Sequence, residues 1–179
     1  MNYTDFVKTV ESHSWHEPPQ RLLHAAMGLV TEIGELYEID DETHLTEELG
    51  DICWYLALGL DALGVNWDDV EIIPEDDFIK AVRGETSDQT LVILSSELLD
   101  MLKKFIFYGR EIQLEKAASH LVMMKNALHW ALIYANPDLT LETITEANMK
   151  KLKARYPDKF TEQAANVRDV NAEYDAMKR

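Results

Sequence analysis

Cysteine is almost missing from this chain. Cys53 stands alone, which excludes an intramolecular disulfide and a cysteine cluster for zinc, and fits a reducing compartment. Glycine and proline are scarce, at 7 and 5 in 179 residues, so breaks are few and long elements are expected. No stretch alternates convincingly as a strand. No apolar run is long either. The longest, Ile52 to Leu60, falls far short of a bilayer's thickness. The opening stretch, MNYTDFVKTVESHSWHEPPQ, has no apolar core of signal-peptide length. These shortages predict a soluble, cytoplasmic protein with no membrane partner. Basic residues are the last shortage. Lys and Arg number 17 against 33 Asp and Glu, a net charge of −16, which argues against a nucleic-acid polymer as partner.

What the chain does have is unevenly placed charge and long apolar periodicity. Its length suits a single domain with a sizeable core. Residues 1–100 hold 4 Lys/Arg and 23 Asp/Glu, whereas residues 101–179 hold 13 and 10. An acidic half able to bind metal is joined to a mildly basic half able to bind phosphate. A single nucleotide delivered with Mg²⁺ is compatible with that charge, although a polymer is not.

The pattern predicts an all-α fold. A short helix is expected near Tyr3–Ser12. Pro18-Pro19 opens a helix to about Glu38, with apolar residues three and four apart from Leu22 to Leu36. Thr43 or Thr46 is expected to cap the next helix, which runs to Leu63 and stops at Gly64. Residues 65–88 read as a mobile connector with room for one short helix, broken by Pro74 and Gly84. Helices follow at about 89–107 and 112–135. Thr140 is expected to cap a helix over Leu141–Arg155, and Tyr156-Pro157 ends it. The tail, 161–179, is polar and predicted to be helical. A faint repeat aligns TEIGELY (31–37) with SELLDML (96–102). It predicts a four-helix core of two helical hairpins, in which Glu97 and Asp100 occupy the places of Glu32 and Glu35. The whole is one domain: an acidic hairpin within 1–64, the connector, a second hairpin over 89–136, the helix within 139–160 and the tail.

Four acidic residues stand out among apolar neighbours. Glu32 and Glu35 lie three apart, as do Glu48 and Asp51, with twelve residues between the pairs. On a helix, residues three apart share one side, one turn along. A short turn then makes the two helices antiparallel neighbours, and the four carboxylates converge. Such a cluster repels itself, more so when partly buried. A divalent cation reverses that penalty. Carboxylates without His or Cys favour Mg²⁺, with Mn²⁺ as a possible substitute, over zinc. Each pair taken singly is also what the polar side of any amphipathic helix offers.

The residues E32-I-G-E35 and E48-L-G-D51, the helix LLHAAMGLVTEIGEL before them, and the stretch NMKKLKARYPDKF (148–160) together resemble the MazG-like all-α nucleoside triphosphate pyrophosphohydrolases. The resemblance covers roughly residues 20–64 and 139–160. It implies Mg²⁺-dependent hydrolysis of an NTP or dNTP to the monophosphate and pyrophosphate. Glu32, Glu35, Glu48 and Asp51 would hold metal. Lys151 and Arg155, four apart on one helix face, would meet the outer phosphates, with Asn148 as a sugar or phosphate contact. Glu35 or Glu38 would be the general base. About 75 residues separate the two matching stretches, where short members of the family have almost none. This leaves the oligomeric state open, with a homodimer favoured.

Other residues are weaker candidates. Trp15 could stack on a base, and His24, two turns before Glu32, is a further substrate-binding candidate. Of Trp54 and Tyr55, one is expected to face the core and the other the pocket. Glu97 and Asp100 either complete the site or are solvated. Two rival readings stand beside the main one: a catalytically inactive helical interaction protein of the same fold, and a pyrophosphohydrolase acting on phosphoribosyl-ATP or an alarmone.

Overall fold

The structure is a computed structural model describing residues 1–12, 17–39 and 41–178. Trp15 and His16 lie outside the described residues. Among the described residues every regular element is helical, and no helix is long and apolar enough to cross a membrane.

Helix α1 (Tyr3–Val10) starts at Asn2, whose side chain accepts from the Asp5 N–H. Helix α2 (Pro18–Glu35) opens on its two prolines, where missing N–H groups cost nothing. It ends one turn earlier than the expected Glu38. The chain tightens after Glu35, with the Glu38 N–H donating to the Glu35 carbonyl at 2.9 Å. Helix α3 (Glu42–Ala62) is capped by Asp41, which accepts from the His44 N–H at 2.8 Å. Neither expected threonine caps it. The Thr46 hydroxyl instead donates backward to the Glu42 carbonyl, and an ionised cap is the better match to the helix's positive end. Gly64, with φ +75°, supplies the left-handed stop.

Residues 65–88 are fastened rather than loose. They contain a 3₁₀ turn at Trp67–Asp69 and helix α4 (Glu75–Ala81). Trp67 is buried, and its N–H donates to the Thr4 hydroxyl. The buried ammonium of Lys125 donates to the Trp67 and Val70 carbonyls at 2.7 and 3.0 Å and sits 4.3 Å from the Trp67 ring. The Ile73 N–H donates to Asn126. These bonds satisfy an otherwise irregular backbone.

Helix α5 (Ser87–Tyr108) carries a capping box between Thr86 and Gln89, and Gly109 closes it in the left-handed region. Helix α6 (Leu114–Ala135) returns beside it, and α7 (Leu141–Arg155) begins at the expected Thr140 cap. Short helices α8 (Glu162–Asn166) and α9 (Val170–Lys178) finish the chain. The α2–α3 and α5–α6 pairs form the core: α2 packs on α3 and α5, α6 packs on α5 and α3. Leu22, Leu29, Ile52, Leu56, Leu98, Leu102, Leu121 and Met124 are fully buried within it, each contributing about 1.5–3 kcal/mol. Outside this ring α7 lies against α3, α1 touches both, and α9 covers α7.

Two glycines let these helices approach. A Cβ on Gly28 would stand 2.2 Å from the Tyr55 ring, and one on Gly50 would stand 2.9 Å from the Asn148 Cβ. The first lets Tyr55 lie flat on α2. The second brings α7 onto α3 where the acidic residues are.

Candidate functional site

A cavity of about 310 Å³ opens between α2, α3, α7 and the C-terminal segment. One wall is acidic. Glu32 from α2 and Glu48 and Asp51 from α3 each offer an oxygen, and the three lie within 4.8 Å of one another. The expected convergence of the two helices is therefore present. Glu35 lines the same cavity but is exposed and stands outside this group of three. Glu38 does not line it; it lies in the turn after α2, beside a shallow hollow shared with His44. The reason is the early end of α2, which takes Glu38 off the helix face that aims Glu32 and Glu35.

The acidic wall is electrostatically costly as it stands. Burial, then the charges of Asp51 and Glu35 and the contact with Glu48, push the Glu32 carboxyl up to about 8. Burial raises Glu48 as well, against the opposing pull of its contact with Glu32, and Asp51 and Glu35 add to the rise. Glu48 is only 4% exposed. One of its oxygens lies 3.1 Å from His44 Nε2, while Oε2 is buried with no hydrogen-bond partner. An unpartnered buried carboxylate oxygen is rare in a folded protein.

Asp51 is held from behind. Its Oδ1 accepts from Asn148 Nδ2 at 2.9 Å, and Asn148 Oδ1 accepts from the Tyr3 hydroxyl at 2.9 Å. Its Oδ2 accepts from Lys151 Nζ, which also reaches Glu47 at 3.4 Å. Lys151 is 0% exposed and Asn148 is 1% exposed. Both are expected from the resemblance to touch substrate; here they are buried against α3, where they hold a carboxylate, and neither lines the cavity. Helical spacing put Lys151 and Arg155 on one face, but the close approach at Gly50 sinks Lys151 while Arg155, a turn later, reaches the cavity.

A second wall is built from arginine–carboxylate pairs; Arg155 is the residue expected from the sequence, whereas Arg168, Glu47 and Glu173 are not singled out there. Arg155 Nε and Nη2 donate to the two oxygens of Glu173 at 2.9 and 2.6 Å. Arg168 Nη2 donates to Glu173 at 2.7 Å and to Glu47 at 2.6 Å. Burial alone would raise Glu47; Lys151, the Tyr174 hydroxyl and Arg168 outweigh it and bring Glu47 to about 2. Glu173, buried on α9, is likewise brought below its ordinary value by Arg155 and Arg168 despite its burial. The only hint in the sequence was the mixed charge of the tail.

The third side is aromatic. His24 meets Trp54 and Tyr55 edge-on, with ring centres 5.8 and 5.5 Å away, and Trp54 and Tyr55 meet at 4.9 Å. Both Trp54 and Tyr55 line the cavity, rather than one of them, and His24 joins them. Burial lowers the His24 pKa, which keeps the ring neutral. Glu97 and Asp100 belong to the outer surface of the second hairpin. Glu97 pairs with Lys116 and His120, and Asp100 with Lys103 and Lys104. They do not complete the acidic wall, because α5 turns that face to solvent beside basic partners. Comparison of the chain with protein families, curated proteins and solved structures gave no match to any of the three.

Proposed function

We propose that this chain is a Mg²⁺-dependent pyrophosphohydrolase that converts an NTP or dNTP to the monophosphate and pyrophosphate. One observation carries the reading beyond the resemblance of its motifs. Glu48 Oε2 is buried and unpartnered beside Glu32 and Asp51. A carboxylate-only donor set of this kind fits a hard divalent cation. Glu32, Glu48 and Asp51 would hold it. When bound, the cation supplies charge neutralisation on the phosphates and a lowered pKa for the attacking water.

The chain's own residues do the rest. Asn148 and Lys151 keep Asp51 in place. Glu35, exposed in the cavity next to the three ligands, is the group positioned to accept the proton of the water. Arg155 faces the cavity opposite the carboxylates and offers charge to the outer phosphates. His24, Trp54 and Tyr55 offer ring faces and edges to a base. A metal–polyphosphate pair suits both walls at once, the metal meeting the carboxylates and the phosphates meeting the N–H donors that the arginines do not spend on Glu173 and Glu47. No nucleophilic side chain is required, because phosphoryl-type transfer depends mainly on positioning and charge stabilisation.

The test is pyrophosphate release from a panel of NTPs, dNTPs and phosphoribosyl-ATP, with Mg²⁺ and with EDTA. Turnover should need the metal. Glu48→Gln and Asp51→Asn should each lower kcat by about a hundredfold or more, the scale of losing a group that stabilises the transition state. Turnover that survives both substitutions places the site elsewhere. An absence of metal-dependent turnover on every substrate leaves the inactive helical interaction protein as the reading.

A further inference from the structure

The C-terminal segment contributes more than cover. Arg155 ends α7 and Arg168 lies thirteen residues later between α8 and α9. Both line the cavity, and both are gripped by one carboxylate. Glu173 is 1% exposed and accepts from Arg155 Nε and Nη2 and from Arg168 Nη2. Glu47 holds Arg168 from the other side. Each guanidinium carries more N–H donors than it spends on these partners. Arg168 uses only Nη2, and its side chain is 37% exposed. Two guanidinium forks thus share one carboxylate and keep unspent donors in the cavity that the acidic residues also line.

From this geometry we infer that Arg168, paired with Arg155 by the positioning residue Glu173, binds the terminal phosphates of the substrate. The inference rests on the proposed nucleotide reading and deepens it. A single guanidinium matches one phosphate group; an adjacent pair matches a diphosphate, with charge spread over two centres. A monophosphate offers only one such group to the pair. Arg168 therefore discriminates by phosphate number rather than by base. Both oxygens of the buried Glu173 are engaged by the arginines, so its charge orients the forks and leaves their remaining donors to a ligand.

The experiment is calorimetric titration of the full chain with inorganic pyrophosphate, and separately with a nucleoside monophosphate, in Mg²⁺. Arg168→Ala should weaken pyrophosphate binding about tenfold, as loss of a charge-assisted bidentate contact does, and leave monophosphate binding unchanged. Arg168→Lys keeps the charge but loses the fork, and should recover less than half of that loss. Glu173→Gln should weaken pyrophosphate binding even though it removes negative charge, a direction that simple charge addition does not give. Tighter binding in Glu173→Gln overturns its positioning role. Pyrophosphate binding equal to wild type in Arg168→Ala overturns the inference, and if that wild type still hydrolyses nucleotides, the proposed function stands without it. Loss of pyrophosphate binding in Arg168→Ala, in a protein that hydrolyses no nucleotide, upholds the anion site and removes the proposed function. A wild type that binds no pyrophosphate overturns the inference.

Discussion

Replacing Glu32 by glutamine should make the metal-free protein more stable while abolishing the proposed hydrolysis. The Glu32 carboxyl stands at about 8 instead of the ordinary 4.5, chiefly through burial and the neighbouring Asp51 and Glu35. A carboxyl raised on folding binds its proton more tightly in the native state than in the unfolded one. Its stabilising contribution is complete below the unfolded pKa, and stability is lost as pH rises through the interval between the two values. The displacement corresponds to at most about 5 kcal/mol. Glu32 is only half-buried, and solvent screening brings this to about 2 kcal/mol. Glutamine keeps the shape and never ionises. Urea unfolding without metal should therefore show a gain for Glu32→Gln near zero at pH 4. The gain should begin to grow near pH 4.5, at about 1.4 kcal/mol per pH unit, and level off near 2 kcal/mol. Added Mg²⁺ should stabilise the wild type at pH 8.5 and do nothing for the variant, because a cation bound by folded protein alone raises stability by mass action. A gain that is the same at every pH, or a loss at pH 9, would refute the view that the acidic wall is strained.

Two further substitutions probe the supports of the site. Lys151→Met removes the buried partner of Asp51 and Glu47; it should cost about 2–4 kcal/mol, as breaking a buried charged network does. The Mg²⁺ concentration needed for half-maximal activity should rise more than the nucleotide KM, the reverse of what a phosphate contact gives. Gly28→Ala places a methyl 2.2–2.4 Å from three atoms of the Tyr55 ring. It should destabilise by about 1–3 kcal/mol through overpacking and raise the nucleotide KM as Tyr55 is displaced; a melting temperature and KM equal to wild type would show that Tyr55 is not held as described.

Helical periodicity carried most of the architecture. The apolar spacing of Leu22 to Ile33, the capping threonine at 140 and the stop at Gly64 all specify local structure, and local structure is what spacing encodes. Glu32, Glu48 and Asp51 were legible for the same reason, since two short-range spacings and a short turn bring them together. The misreadings came where several groups compete for one place. Asp41, Thr43 and Thr46 all suit an N-cap, and the ionised side chain takes it. Lys151 and Arg155 share a face in sequence, but burial is decided by the distance between α3 and α7, which depends on Gly50. Arg168 meets Glu47 across 121 residues. No periodicity reports a partnership of that length, and the sequence therefore gives the tail as a polar helix without its partners. The order of the connector is not legible in its own residues, because it comes from Lys125, more than fifty residues away.

The bond between Asp51 and Lys151 joins positions 100 residues apart. A ribosome releases the acidic hairpin of α2 and α3 long before the lysine that steadies it, and the arginines around Glu173 come later still. The emerging chain must carry an unbalanced cluster of carboxylates through most of its synthesis, with burial at Glu32 and Glu48 postponed until the last helices arrive. The cavity is thus completed last, and a nascent chain halted before α9 would carry both arginines yet lack Glu173, the carboxylate that joins them.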